Sequence, residues 1–380
     1  MFAKNILFLD IGSSTLKGVV INEKKFKILA KMTQENPGIA NGYIANTETF
    51  QNALKRLINT LEKKIKSRIN STVLIIGGKI VEYKLLVSSE IQVEGIINDN
   101  TMRSIDKKIK NWADKKNVIL IRSTPVEYKI DGSSVENAFG LYADTIQFTY
   151  FLSYAPMNML GNLVHMLEKN GLNIIDILPS IYCCAALHLS DDEKKLGSLI
   201  FDIGAHSVNW AYFFENKPIA AGSSINIGSE MITNKIAKSL KISIEQAKQI
   251  KHTHTSAIIS SSNFCSWIEF QRDNNPDYIL ESEVIRKITP EVSSIIDMVI
   301  KIINHFQKKS YIAVLCGNGS WLSGLSDAIA KHTSIGVKLT PSSFPEYDAI
   351  MGAIVAFQYD AKTKNKGMIR KAASWLKENL

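Results

Sequence analysis

One short phrase occurs twice in the chain: Leu7-Phe8-Leu9-Asp10-Ile11-Gly12 near the start, and Leu199-Ile200-Phe201-Asp202-Ile203-Gly204 past the midpoint. Each copy closes an apolar run. Small or hydroxylated residues follow, and then a second apolar run, Gly18 to Ile21 and Val208 to Phe214. The pattern predicts a strand, a tight turn at glycine and a second strand returning beside the first. Such a turn presents several backbone N–H groups and hydroxyls to one point, which suits an anion. Two of them facing one cleft would grip a polyphosphate from both sides. Asp10 and Asp202, at the strand ends, would hold a hydrated Mg²⁺ between them. The expectation is a duplicated phosphate clamp.

A single Asp-Ile-Gly marks little more than a strand ending in a turn, so the weight lies on the recurrence and on a third element. Tyr311 to Cys316 is an apolar strand running into Gly317-Asn318-Gly319-Ser320, followed by a helix-like stretch from Leu322 to His332. Glycines let the backbone approach a flat ring or a phosphate where a Cβ would collide. In order and spacing the three elements resemble the phosphate-1, phosphate-2 and adenosine motifs of the actin/Hsp70/sugar-kinase superfamily. That resemblance implies an α/β chain with a duplicated actin-like, ribonuclease H-like two-lobe fold that takes ATP and Mg²⁺.

A chain of 380 residues, 45% hydrophobic, has material for two large domains. Met1 to Ile6 is too short, and too soon followed by Asp10, for a signal peptide. No run approaches the roughly 20 apolar residues of a spanning helix. Cys183, Cys184, Cys265 and Cys316 show neither a Cys-x-x-Cys pair nor a disulfide-framework spacing; they read as buried small hydrophobes in a reducing cytosol. His252 and His254 alternate with threonines and read as a polar loop, with no third and fourth ligand nearby to make a zinc site. The net charge of +9 is scattered over helical surfaces without aromatic interleaving or a helix-turn-helix pattern, so no nucleic-acid partner is expected.

The basic excess is densest at the end, where residues 360–380 hold six Lys/Arg against two Asp/Glu. Taken as a helix, residues 366–380 place Met368, Ile369, Ala372, Ala373, Trp375, Leu376 and Leu380 within an arc of about 160°. Lys366, Arg370, Lys371 and Lys377 fall on the remaining side. An apolar face with Trp and Leu, a basic opposite face and a polar linker before it describe a helix lying in a membrane interface. Docking as a last helix on the body of the protein is the alternative. Attachment by one such helix is weak and reversible, and many copies on one polymer would bind firmly.

Further phrases narrow the resemblance. Asn36-Pro37-Gly38-Ile39-Ala40-Asn41-Gly42-Tyr43-Ile44, Asp191-Asp192-Glu193-Lys194-Lys195-Leu196-Gly197, Thr233-Asn234-Lys235-Ile236-Ala237 and the ending Ser374-Trp375-Leu376-Lys377-Glu378-Asn379-Leu380 are similar to the bacterial cell-division family FtsA. The resemblance implies an ATP-binding protein that polymerises, binds the C-terminal tail of FtsZ, lies peripherally on the cytoplasmic side of the membrane at the division site and recruits later division proteins. It implies a first lobe of residues 1–87 and 156–197 interrupted by a subdomain at 88–155. A second lobe of 198–222 and 301–359, interrupted at 223–300, precedes a linker at 360–365 and the terminal helix. The nucleotide contacts implied are Gly12, Ser13, Ser14, Thr15, Lys17, Gly204, Ala205, His206, Ser207, Gly228, Lys251, Gly317, Asn318 and Gly319.

Several positions depart from the family pattern. Thr15 stands where a lysine is common, and Lys17 follows two residues later on the same strand face. Ala205 and His206 replace glycines, and Asn209 replaces a frequent Asp. Ala247-Lys248-Gln249-Ile250-Lys251 lacks the carboxylate expected for the ribose, leaving Lys251, with Glu245 on another side of the helix. Pro290-Glu291, with Arg286 one turn earlier, stands where Pro-Arg is frequent. No water-positioning acid or amide occurs in 179–184, so hydrolysis is expected to be weak or absent, with Asp10 and Asp202 acting only through metal and water. A PilM-type pilus-assembly protein and a small-metabolite kinase of the same superfamily are the competing readings.

Overall fold

The computed structural model describes residues 5–40, 43–273 and 275–363. Its first half runs β1 (Asn5–Ile11), β2 (Thr15–Asn22), β3 (Lys27–Glu35), the short pair β4 (Ile39–Ala40) and β5 (Tyr43–Ile44), α1 (Thr47–Ile65) and β6 (Ser71–Ile76). An insertion follows: β7 (Glu82–Val87), β8 (Ile91–Ile96), α2 (Asp99–Lys116), β9 (Val118–Ile130), β10 (Ser133–Val135) and β11 (Tyr142–Pro156). Then come α3 (Met157–Lys169), β12 (Asn173–Pro179), α4 (Ser180–His188) and α5 (Asp191–Leu196). The second half runs β13 (Ser198–Ile203), β14 (Ser207–Phe214), β15 (Lys217–Ile225), α6 (Ser229–Leu240), α7 (Ile244–His254), β16 (Trp267–Arg272), β17 (Asn275–Leu280) and α8 (Glu281–Phe306). It ends with β18 (Ile312–Cys316), α9 (Leu325–Ala330), β19 (Gly336–Leu339) and α10 (Asp348–Thr363).

The duplication is in the sheets. One five-stranded sheet has the order β12-β6-β1-β2-β3, the other β19-β18-β13-β14-β15. In both, the central Asp-Ile-Gly strand pairs antiparallel with the next strand and parallel with a later one. These central strands bury both faces. On β1, Leu7, Leu9 and Ile11 enter a core with α1 and α3, while Ile6 and Phe8 point to the opposite face, against α10. On β13, Leu199, Phe201 and Ile203 face α6 and α8, while Ile200 faces α4. The period of two along each strand produces this division, and apolar residues on both sides explain the unbroken runs.

Local chemistry explains the covering helices. Asn46 caps α1 by accepting from the Thr49 N–H at 2.9 Å, and Phe50, Leu54, Leu57 and Leu61 follow at helical spacing, all buried. Each full burial contributes about 1.5–3 kcal/mol. Ser190 and Glu193 form a reciprocal capping box, so the acidic turn Asp191 to Glu193 opens the short helix α5.

The connecting helices are exchanged between the lobes. α4 follows the first sheet but packs on the second, and α10 follows the second sheet but packs on the first. They cross at Gly352, where any Cβ would lie 1.8 Å from the Cys183 carbonyl oxygen. The insertion forms its own sheet, β10-β9-β11-β7 with β8 on β11. It is fastened to the first lobe by Arg122, whose guanidinium donates to both oxygens of the fully buried Asp176 at 2.7 and 2.8 Å.

Several expectations need correction. β7 belongs to the inserted sheet, so that subdomain begins before the expected boundary at residue 88. The stretch after Gly317 is a 3₁₀ turn followed by the helix α9, shorter than the helix-like run from Leu322 to His332. His252 and His254 sit in the last turn of α7, where the His254 Nδ1 lies 2.8 Å from Glu281. Cys265 is exposed; the other three cysteines are buried. α10 continues to Thr363, so residues 360–363 extend a helix where a linker is expected. The terminal segment 366–380, with Met368, Ile369, Arg370, Lys371, Ala372, Trp375, Leu376, Lys377 and Leu380, lies outside the described residues.

Candidate functional site

The two Asp-Ile-Gly turns are the same structure built twice. Gly12 N–H donates to the Thr15 carbonyl at 3.0 Å, and Gly204 N–H to the Ser207 carbonyl at 2.9 Å. The strand registers match as well, Asp10 opposite Lys17 and Asp202 opposite Asn209. Each turn is braced from behind. Asn36 donates its side-chain amide to the Gly12 carbonyl at 3.0 Å and its backbone N–H to Ser14. The start of α6 does the same for the second turn, Ser229 and Glu230 donating to the Gly204 and Ala205 carbonyls.

Both turns open on one cleft of about 630 Å³ between the lobes, a volume in the usual range of small-molecule sites. Asp10, Gly12, Ser13, Ser14, Thr15, Lys17, Asp202, Gly204, Ala205, His206, Ser207, Lys251, Gly317 and Asn318 all line it. Gly228 and Gly319 stand behind the lining: Gly228 caps α6 against the Ala205 carbonyl, and Gly319 packs on Ile203. Gly317 has φ +79°, and a Cβ there would come 2.3 Å from the Asp202 carboxylate, so this loop requires glycine on both counts.

Electrostatics divide the cleft. Lys17 donates to Asp10 at 3.2 Å. Burial lowers the Lys17 pKa, but the Asp10 carboxylate and its hydrogen bond outweigh this, and the net direction is up. Asp202 is pushed up to about 6, first by desolvation and then by the charge of Asp10, against the hydrogen bond from Asn209. On the far wall, burial and the neighbouring Lys248 lower Lys251, partly offset by Glu230. Glu230 of α6 lines the same cleft, so a carboxylate stands near Lys251 although α7 itself offers none there.

Asn209 is the functional residue that sequence reasoning undervalued. Its Oδ1 accepts from the Gly78 N–H of the first lobe at 2.9 Å and from Ser223 at 2.6 Å, while its Nδ2 donates to Asp202 at 3.3 Å. One amide therefore ties the lobes together and orients the buried carboxylate. An Asp could not donate to Asp202. Its register opposite Asp202 was the only available signal.

The residues present fit a phosphate chain with a cation. The Ser14 hydroxyl is buried without a hydrogen-bond partner in the first turn, an orphan that a phosphate oxygen would satisfy. Asp10 and Asp202 supply hard oxygen donors for Mg²⁺ and would repel a bare polyphosphate.

Comparison with known proteins agrees with this architecture. The sequence model described as cell division protein FtsA matches residues 199–352. Cell division protein FtsA of Buchnera aphidicola subsp. Schizaphis graminum is 22% identical over 99% of this chain and 98% of its own length. The chain is FtsA-like. FtsA of Buchnera aphidicola subsp. Acyrthosiphon pisum is 23% identical over 92% of this chain and 90% of its own. Among solved structures, a PilM-PilN type IV pilus biogenesis complex superposes with TM-score 0.68 at 16% identity, covering 93% of this chain and 98% of that one. MreB 5 of Spiroplasma citri bound to AMPPNP gives 0.59 at 13% identity over 97% and 100%. These likenesses establish the fold as actin-like, bearing out the FtsA resemblance and the duplicated two-lobe fold. The AMPPNP belongs to the Spiroplasma protein.

Proposed function

We propose that the cleft binds an adenine nucleotide with Mg²⁺ and that the bound nucleotide fixes the two lobes against each other. The observation that carries this reading is the pair of hairpin turns with matching hydrogen bonds and register, opening on one cleft. Backbone N–H groups and hydroxyls of 13–15 and 205–207 hold the phosphates from opposite sides. Mg²⁺ supplies charge neutralisation between those phosphates and Asp10 and Asp202. Lys251 and Glu230 face the nucleoside end. α4 contributes only Ser180 to the cleft, no acid or amide, so the nucleotide acts as conformational glue with weak or absent hydrolysis.

In the cell, the FtsA likeness supports a division-site protein on the cytoplasmic face of the membrane. It tethers FtsZ filaments through their C-terminal tails, polymerises and recruits later division proteins. Among the described residues no helix is long and apolar enough to cross a membrane, consistent with peripheral attachment through 366–380.

Thermal unfolding with and without Mg-ATP tests the cleft. Nucleotide at about a hundred times its Kd contributes about 2.7 kcal/mol, and Asp202→Ala is expected to abolish the resulting rise in Tm. A native protein whose Tm does not respond, or an Asp202→Ala protein that responds equally, overturns the reading.

A further inference from the structure

Below the cleft, where α4 lies on the second sheet, three metal-ligating side chains converge from three elements. Cys184 comes from α4, Cys316 is the last residue of β18, and Asp202 stands near the end of β13, paired with Cys316 in register. Their ligand atoms, two Sγ and one carboxylate oxygen, all lie within 4.8 Å of one another. A tetrahedral ion with bonds of about 2.0–2.3 Å needs ligand atoms roughly 3.4–3.8 Å apart. Small side-chain adjustments reach that spacing.

The surroundings make this more than a pair of core cysteines. Both thiols are buried among Ile181, Ile200 and Val314. Their Sγ atoms lie within 4.8 Å of each other, and Cys316 donates to the Phe201 carbonyl at 3.3 Å. The third ligand, Asp202, lines the cleft, so an ion has an entry path and water has access to a fourth position. Cys183, the neighbour of Cys184 on α4, faces the other lobe's core.

We propose that Cys184, Cys316 and Asp202 form a site for a thiophilic divalent cation of the Zn²⁺ class. Binding converts two thiols to thiolates and releases two protons to solvent. The ion then carries two thiolates and one carboxylate, one net negative charge, beside the Lys17 ammonium whose field already acts on Asp202. Sulfur donors select Zn²⁺ and Cd²⁺ over Mg²⁺. The ion staples α4 to β13 and β18 and holds Asp202 inward, away from a nucleotide-bound Mg²⁺. This competition rests on the nucleotide reading; metal binding itself does not.

The test is titration of the full chain with Cd²⁺, followed by the thiolate-to-cadmium charge-transfer absorption. One equivalent should produce the band. The Cys183→Ser/Cys265→Ser protein, which keeps only Cys184 and Cys316, should retain it, and Cys184→Ser/Cys316→Ser should lose it. No band in the folded native chain, or a band lost from the Cys183→Ser/Cys265→Ser protein while that protein remains folded, overturns the site. If Cys184→Ser/Cys316→Ser does not fold, the Cys183→Ser/Cys265→Ser result decides alone. Zn²⁺ should also suppress the Mg-ATP rise in Tm of the native chain, and an unsuppressed rise overturns the competition. A native chain showing the cadmium band but no Mg-ATP response in the absence of zinc would fail the nucleotide reading while leaving the metal site standing.

Discussion

Asn209 shows how much one amide decides in this cleft. Reading the chain makes it the loss of a carboxylate; the structure makes it a donor to Asp202 and an acceptor from Gly78 and Ser223 at once. Asn209→Asp should cost about 1–3 kcal/mol near neutral pH, because a buried donor is lost and a like charge is placed beside Asp202. Urea unfolding at neutral pH would show it, and equal midpoints for the two proteins would refute it. Asp202 makes a second prediction at this scale. Its pKa is raised from the ordinary 3.8 to about 6 in the folded chain, chiefly by desolvation. A raised folded value means that its stabilising contribution is complete below the unfolded pKa and is lost as pH rises through about 6. Without nucleotide, Tm should therefore fall between about pH 4 and 6 more in the native chain than in Asp202→Asn, in which the group no longer titrates. Parallel profiles would exclude Asp202 as the source. Mg-nucleotide binding, which needs the charged carboxylate, should strengthen as pH rises through about 6.

At the scale of elements, the decisive contact is the crossing of α4 and α10, where each helix closes the open face of the other lobe's sheet. Gly352→Ala would put a Cβ against the Cys183 carbonyl backbone, which has no flexible side chain to yield. A cost of about 1–3 kcal/mol is expected, read as a lower urea midpoint; an unchanged midpoint would mean that the helices can separate freely. Nothing in the local sequence marks Gly352 as a contact point, since a glycine inside an apolar helix reads only as a weak spot. The central strands were legible because burial on both faces leaves an unbroken apolar run. The insertion's first strand was misplaced because β7 pairs with β11, far along the chain, and no local pattern tells a strand which sheet it will join.

For the whole molecule, beyond the crossing of α4 and α10, polar ties join the lobes, among them Gly78 to Asn209 and Lys217 Nζ to the Val126 carbonyl at 2.9 Å. That suits a body whose halves a ligand locks together. The terminal segment is expected to supply membrane attachment, with anionic headgroups adding about 1 kcal/mol per well-placed basic residue. Full chain should sediment with anionic vesicles, and a chain ending at Thr363, which keeps α10 whole, should stay in the supernatant. Equal sedimentation of the two would remove the membrane role from residues 366–380.

The sequence by itself determined the duplication, the two turns and the carboxylates at their strand ends, because strand period, glycine turns and apolar runs are local properties of neighbouring residues. Only the tertiary structure decided that the turns share one cleft, that Glu230 faces Lys251, that Asn209 bridges the lobes and that two cysteines meet Asp202. Those facts depend on contacts between residues distant along the chain, and such contacts exist only once two cores have packed and brought their surfaces together.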